Sequence, residues 1–175
     1  MLGHGAAGGV GAPDLVAATE AALAESFSVA LVEQPYRVAG RRSPAPAHQL
    51  EAAWTAVIEH LRGGPLQGMS LVTGGRSLGA RVACRTAEAT DAVALLCLAF
   101  PLQPRRKTGA APSRLPELDA VTVPVLVVQG ERDPFGIPPG AASRRVLRVA
   151  GDHGLKSDLP AVTNAVRTWL SHLDV

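Results

Sequence analysis

Ser77, Asp133 and His153 are the residues whose types and spacing could do chemistry. Ser77 lies in Gly75-Arg76-Ser77-Leu78-Gly79, a Gly-x-Ser-x-Gly string. A serine hydroxyl is a weak nucleophile until a base takes its proton. Ser77 therefore asks for a histidine and for an acid to orient it, and both stand in later loops. Asp133 lies in Gly130-Glu131-Arg132-Asp133-Pro134, and His153 in Ala150-Gly151-Asp152-His153-Gly154. In this reading Ser77 attacks an acyl carbon while His153 takes and later returns the proton. Asp133 holds the imidazole in one tautomer and stabilises its cation. Asp152 is a rival orienter, ranked below Asp133 because an immediate neighbour usually points away. Only a neutral imidazole is a base, so activity is expected to rise with pH as His153 loses its proton. The bland reading makes Asp133 an ordinary turn residue before Pro134 and His153 a loop histidine.

Charge developing on a carbonyl oxygen needs two backbone donors. Leu78, directly after the nucleophile, supplies one. The loop His4-Gly5-Ala6-Ala7-Gly8-Gly9 supplies the other through Ala6 or Ala7, with His4 in a structural role. Arginines also gather near the serine in sequence. Arg76 precedes it, Arg81 follows it, and Arg105-Arg106-Lys107 fall on a loop that could overhang the site. An anionic substrate, such as a carboxylate-bearing ester or lactone, suits these charges, with Arg76 as the candidate substrate-binding residue. The competing reading pairs Arg76 and Arg81 structurally and leaves the loop cations in solvent.

Elements must aim these groups. Short apolar runs alternate with helical periods, which predicts an α/β fold with a mostly parallel sheet. Strands are expected at Ser28 to Val32, Met69 to Thr73, Ala92 to Phe100, Val123 to Gln129 and Val146 to Val149. Helices are expected from Pro13 through Leu23, from Leu50 through Leu61, from Leu78 to Glu88 and from Asp158 to Leu173. Gly74-Gly75 is read as the break ending the Met69 strand. Ser77 then sits on a strand–turn–helix, the context a nucleophile elbow requires, with flanking glycines relieving a sharp turn.

Composition bounds the rest. A chain of 175 residues, 47% hydrophobic, fits a single domain spanning residues 1–175. Aromatics at 3% and a net charge of +2 argue against a nucleic-acid partner. The longest uncharged apolar run, Ala92 to Leu102, is about half the roughly 20 residues of a helical membrane span. No secretory signal follows Met1, so a cytoplasmic location is expected. Cys84 and Cys97 match no metal-ligand spacing and read as buried reduced thiols. No metal site or cofactor is expected. The expected partner is a small-molecule acyl substrate.

Four strings together carry a resemblance: His4-Gly5-Ala6 to Gly9; Pro35-Tyr36 with Gly40-Arg41-Arg42; Gly74-Gly75-Arg76-Ser77 with Gly79 and Arg81; and Arg132-Asp133-Pro134-Phe135-Gly136 with Gly151-Asp152-His153. They resemble the small, capless α/β-hydrolase-like proteins related to dienelactone hydrolases. That group also supplies a hydrolase-like domain to a subunit of an animal histone-acetyltransferase complex. The resemblance implies an α/β-hydrolase fold and a serine triad in the chain order Ser77, Asp133, His153, but no particular substrate. Gln103 departs from it, standing where a histidine is expected.

A larger departure is at the N-terminus. In this fold the His-Gly loop follows the third strand, which lies between the fourth and fifth. Only Met1 and Leu2 precede the loop here, so the first two strands and most of the third are expected to be lacking. Unpaired backbone groups left in the sheet interior cost roughly 1–3 kcal/mol each if buried. An upstream start or a weakly folded chain is the expectation, and an upstream-extended chain should then melt higher. Two rival functions stand beside the hydrolase. One is a non-catalytic interaction module on the same scaffold. The other reads Gly3-His4-Gly5-Ala6-Ala7-Gly8 and Glu33 as a dinucleotide-binding fingerprint, although Pro13 starts the helix too late for it.

Overall fold

The structure, a computed structural model, describes residues 1–104, 109 and 111–174. Strands and helices alternate: β1 (Leu2–Gly3), α1 (Pro13–Ala24), β2 (Leu31–Val32), α2 (Pro35–Val38), α3 (Ala47–Arg62), β3 (Val72–Arg76) and α4 (Leu78–Thr86). The second half continues with β4 (Ala94–Leu98), α5 (Leu115–Asp119), β5 (Val125–Gly130), β6 (Arg144–Val149) and α6 (Leu159–Leu170). The six strands form one sheet in the order β2-β1-β3-β4-β5-β6. Every neighbouring pair is parallel.

A parallel sheet needs cover on both faces, and the strand sequences provide for it. Leu95, Cys97, Val125 and Val127 face one way, onto Trp54 and Ile58 of α3 and Val82 and Ala83 of α4. Their alternates Leu96, Leu98, Leu126 and Val128 face α1 and α6. The small residues Ala17, Ala18 and Ala21 let α1 pack beside Val162, Val166 and Trp169 of α6. Asp158 starts α6 by accepting from the Ala161 amide at 3.0 Å. Cys84 and Cys97 are free and buried, their sulfurs 3.6 Å apart.

Four elements differ from the sequence expectation, the first being α2, a short helix in the Pro- and Arg-rich stretch 34–46 expected as a loop. The strand expected at Ser28 to Val32 pairs only at Leu31–Val32. The loop after Pro101 carries the short helix α5 at its end. The strand expected at Met69 to Thr73 lies instead at Val72–Arg76 and runs through the two glycines. Gly74 and Gly75 do not break the strand; a Cβ there would lie 2.2 Å from the Leu96 and Gly3 carbonyl oxygens respectively. Close backbone approach, not a turn, requires glycine at those positions.

β1, two residues long, lies inside the sheet between β2 and β3. Leu2 donates to the Ala30 carbonyl at 2.9 Å, and the Met1 ammonium donates to the Val72 carbonyl at 2.6 Å. Beyond Met1, residues 28–30 and 69–72 border a recess of about 440 Å³. No described helix is long and apolar enough to cross a membrane.

Candidate active site

Ser77 stands between β3 and α4 with φ 51° and ψ −102°. A residue with a Cβ adopts positive φ only at a cost, and such conformations gather at functional turns. The Ser77 amide donates to the Leu98 carbonyl at 2.8 Å, tying the turn to β4. Gly79 follows because a Cβ there would meet the Gly3 carbonyl oxygen at 2.1 Å. The glycines of the motif therefore let the end of β1 lie against the serine turn.

The loops after β5 and β6 bring the other two residues to this turn. The Ser77 hydroxyl lies 2.9 Å from His153 Nε2. His153 Nδ1 lies 2.8 Å from Asp133 Oδ2. Ser77 and His153 are half-buried and Asp133 is buried. Asp133 is held from two further sides, by Gln129 Nε2 on Oδ2 and by the Phe135 amide on Oδ1, each at 2.8 Å. The Phe135 ring meets the imidazole edge-to-face, centroids 4.5 Å apart. Asp152 does not approach His153's ring nitrogens; it caps its own loop by accepting from the Gly154 amide at 2.8 Å. The chain thus has a hydroxyl with a base at hydrogen-bond distance and a carboxylate on the far side of that base. Such a relay can activate an oxygen nucleophile.

The His-Gly loop passes beside the serine: a Cβ on Gly5 would lie 3.4 Å from the Ser77 Cβ. His4 is fully buried, its Nδ1 donating to the Gly5 carbonyl at 2.7 Å and its Nε2 accepting from the Gln34 amide at 2.9 Å. Tyr36 ties the same loop down by donating to the Ala6 carbonyl at 3.1 Å. Among the described residues, the amides of Ala6, Ala7 and Leu78 donate to no main-chain acceptor. The Gly-x-Gly-x-x-Gly string is thus the wall of the serine site, and helix α1 starts only at Pro13.

The arginines divide. Arg76 Nε pairs with Asp14 at 2.8 Å, and its Nη2 donates to the His153 carbonyl at 2.9 Å. Arg81 forms a two-point ion pair with Glu117, which Arg85 also reaches at 3.3 Å. Both arginines near the serine thus bind protein groups. Arg105, Arg106 and Lys107 lie outside the described residues. Two recesses lie away from Ser77: the one beside Met1, and one of about 360 Å³ between α2 and α3 lined by Gln34, Val38 and Trp54.

Sequence reasoning missed Gln129 and Asp14, and it named Tyr36 and Phe135 only within the strings that carry the resemblance. Gln129 left a trace, as the polar residue ending an apolar strand, and its amide reaches Phe100 and Gly136 as well as Asp133. Asp14 left none, because an acid in a first helical turn is ordinary.

No curated protein matches the sequence. The fold is similar to that of a lidless α/β serine hydrolase from Xanthomonas campestris, with 19% identity, TM-score 0.72 and coverage of 98% of this chain and 84% of that one. It is also similar to an α/β serine hydrolase homologue from Coxiella burnetii, at 13% identity, TM-score 0.75 and coverage of 97% and 85%. A third similar structure is a monoacylglycerol lipase from Paleococcus ferrophilus, at 14% identity, TM-score 0.62 and coverage of 97% and 92%. The family model of the alpha/beta hydrolase domain matches residues 1–157. The chain belongs to the α/β-hydrolase domain family.

Proposed function

We propose that this protein is a serine hydrolase acting on esters or related acyl substrates through Ser77, His153 and Asp133, without a cofactor. The observation that carries the reading is the continuous relay, 2.9 Å from hydroxyl to imidazole and 2.8 Å from imidazole to carboxylate. Ser77 Oγ attacks the acyl carbon as its proton passes to His153 Nε2. The C–O bond to the leaving group breaks, and the imidazolium gives the proton to the departing alcohol. Water then attacks the acyl-enzyme, its proton passing through His153 back to Ser77 as the acid leaves. Asp133 keeps the Nδ1–H tautomer and stabilises the cation formed in each half. The amides of Leu78 and of Ala6 or Ala7 receive the oxyanion in both.

An acyl substrate is supported by the lipase among the structural neighbours. A relation to dienelactone hydrolases, and through them to the histone-acetyltransferase subunit, rests on the four sequence strings. The first experiment treats the folded protein with a fluorophosphonate probe and maps the adduct by mass spectrometry. An adduct on Ser77 that vanishes in His153→Ala is the expected result. An unlabelled, folded wild-type chain overturns the proposal in favour of a non-catalytic module on the same scaffold.

A further inference from the structure

Arg76 precedes Ser77 and reads in sequence as a partner for substrate charge, but the structure turns it inward. Its guanidinium touches three separate segments. Nε lies 2.8 Å from the carboxylate of Asp14 in α1. Nη2 donates to the His153 carbonyl at 2.9 Å. A Cβ on Gly5 of the His-Gly loop would come within 2.7 Å of Nη1. Among the described residues no other hydrogen bond reaches the main chain of His153. The Asp14 side chain is 1% exposed and that of Arg76 14% exposed. Burial pushes the Asp14 carboxyl up from its ordinary range and the Arg76 charge opposes that rise, so the acid depends on its partner.

We propose that Asp14 and Arg76 form a positioning pair that fixes the His153 main chain, and with it the reach of the imidazole to Ser77. The inference rests on the serine-hydrolase reading for its kinetic consequences, but not for its geometry. Asp14 is ion-paired with Nε, while Nη2 holds the His153 loop. One guanidinium thus serves both segments. A lysine ammonium in its place is a point charge on a flexible stem and cannot hold both with the same alignment. The loop carrying His153 has glycine on each side, at 151 and 154, and Gly151 has φ +124°. The residues beside His153 are tied through the Gly151 and Asp152 carbonyls, and Arg76 supplies the hold on the main chain of His153 itself.

The test compares wild type, Arg76→Ala, Arg76→Lys and Asp14→Asn in the full chain, using p-nitrophenyl acetate as the probe substrate. Misplacement of a catalytic group by about 1 Å can cost roughly 100-fold. Arg76→Ala is expected to lower kcat about 10- to 100-fold with KM within about twofold, and Arg76→Lys to recover only a small part. Added methylguanidinium is expected to restore activity to Arg76→Ala and to leave wild type unchanged. A raised KM with unchanged kcat would overturn the proposal and return Arg76 to substrate binding. If Arg76→Ala fails to fold because Asp14 is stranded, the neutral pair Asp14→Asn with Arg76→Gln replaces it.

A second readout needs no turnover. The low-field proton NMR signal of His153 Nδ1–H, bonded to Asp133, is expected in wild type and lost to exchange in the Arg76 variants. An unlabelled wild-type serine would sink the hydrolase reading alone. A wild-type imidazole signal retained in folded Arg76→Ala would sink the positioning pair.

Discussion

Asp133 carries three donors on two oxygens: Gln129 Nε2 and His153 Nδ1 on Oδ2, and the Phe135 amide on Oδ1. Each donor fixes the carboxylate, and the carboxylate in turn fixes the imidazole. Asp133→Asn puts an NH₂ group where one of these donors points and favours the wrong imidazole tautomer. Its rate of acyl transfer is expected to fall on the order of 10⁴-fold, read as kcat on p-nitrophenyl acetate. Gln129→Met keeps the side-chain volume but leaves the Gly136 carbonyl without its donor and the Phe100 carbonyl with the Leu102 amide alone. Denaturant unfolding is expected to show a loss of about 1–3 kcal/mol, and unchanged stability would refute the arrangement. At this scale the sequence revealed Ser77, Asp133 and His153 because each stands in a short, recognisable string. It hid Gln129 because that residue's role is set by carbonyls contributed from Phe100 and Gly136. Arg76 was visible, but its direction was not, since Asp14 lies 62 positions away and meets it only in three dimensions.

At the scale of elements, the site depends on how closely β1 approaches β3 and α4. Gly75 and Gly79 both face the Gly3 carbonyl oxygen, where a Cβ would lie 2.2 and 2.1 Å away. Gly79→Ala must therefore push β1 out of its place between β2 and β3, or shift the start of α4 and Ser77 with it. A destabilisation of about 4 kcal/mol or more is expected, with loss of fluorophosphonate labelling. Gly9→Ala is the control, because nothing lies within 4 Å of the position its Cβ would take. Equal melting temperatures for the two variants would contradict this account. The same contact explains the misplaced strand. A Gly-Gly pair reads as a break in one dimension, whereas here it is what allows β1 and β4 to close on either side of β3. Helices α1, α3, α4 and α6 were legible because their apolar spacing faces a covered sheet, and the spacing survives without knowing the partner. The short α5 had no such period to show.

For the whole molecule, the 175-residue chain buries the amine of Met1. The Met1 ammonium donates to the Val72 carbonyl at 2.6 Å, and loss of solvent lowers its pKa from the ordinary 8.0 to about 5. Between those values the unfolded chain holds a proton that the folded chain has released. Unfolding then takes up a proton, so stability rises with pH through that window and is lost as pH falls from 8 toward 5. Below about 5 both states are protonated, and above 8 neither is, so the contribution is flat on either side. Three pKa units correspond to about 4 kcal/mol across the window. A single stability curve mixes the amine with every other group that titrates in this range. Acetylating the Met1 amine separates them. An acetamide keeps one N–H for the Val72 carbonyl and carries no titrating proton, and the recess of about 440 Å³ beside Met1 has room for the acetyl group. Urea unfolding of the free and acetylated chains at closely spaced pH values is expected to give curves that converge above pH 8. They should separate progressively below it, the acetylated chain being the more stable. Parallel curves would mean that the Met1 amine stays solvated, and that the sheet does not close over it.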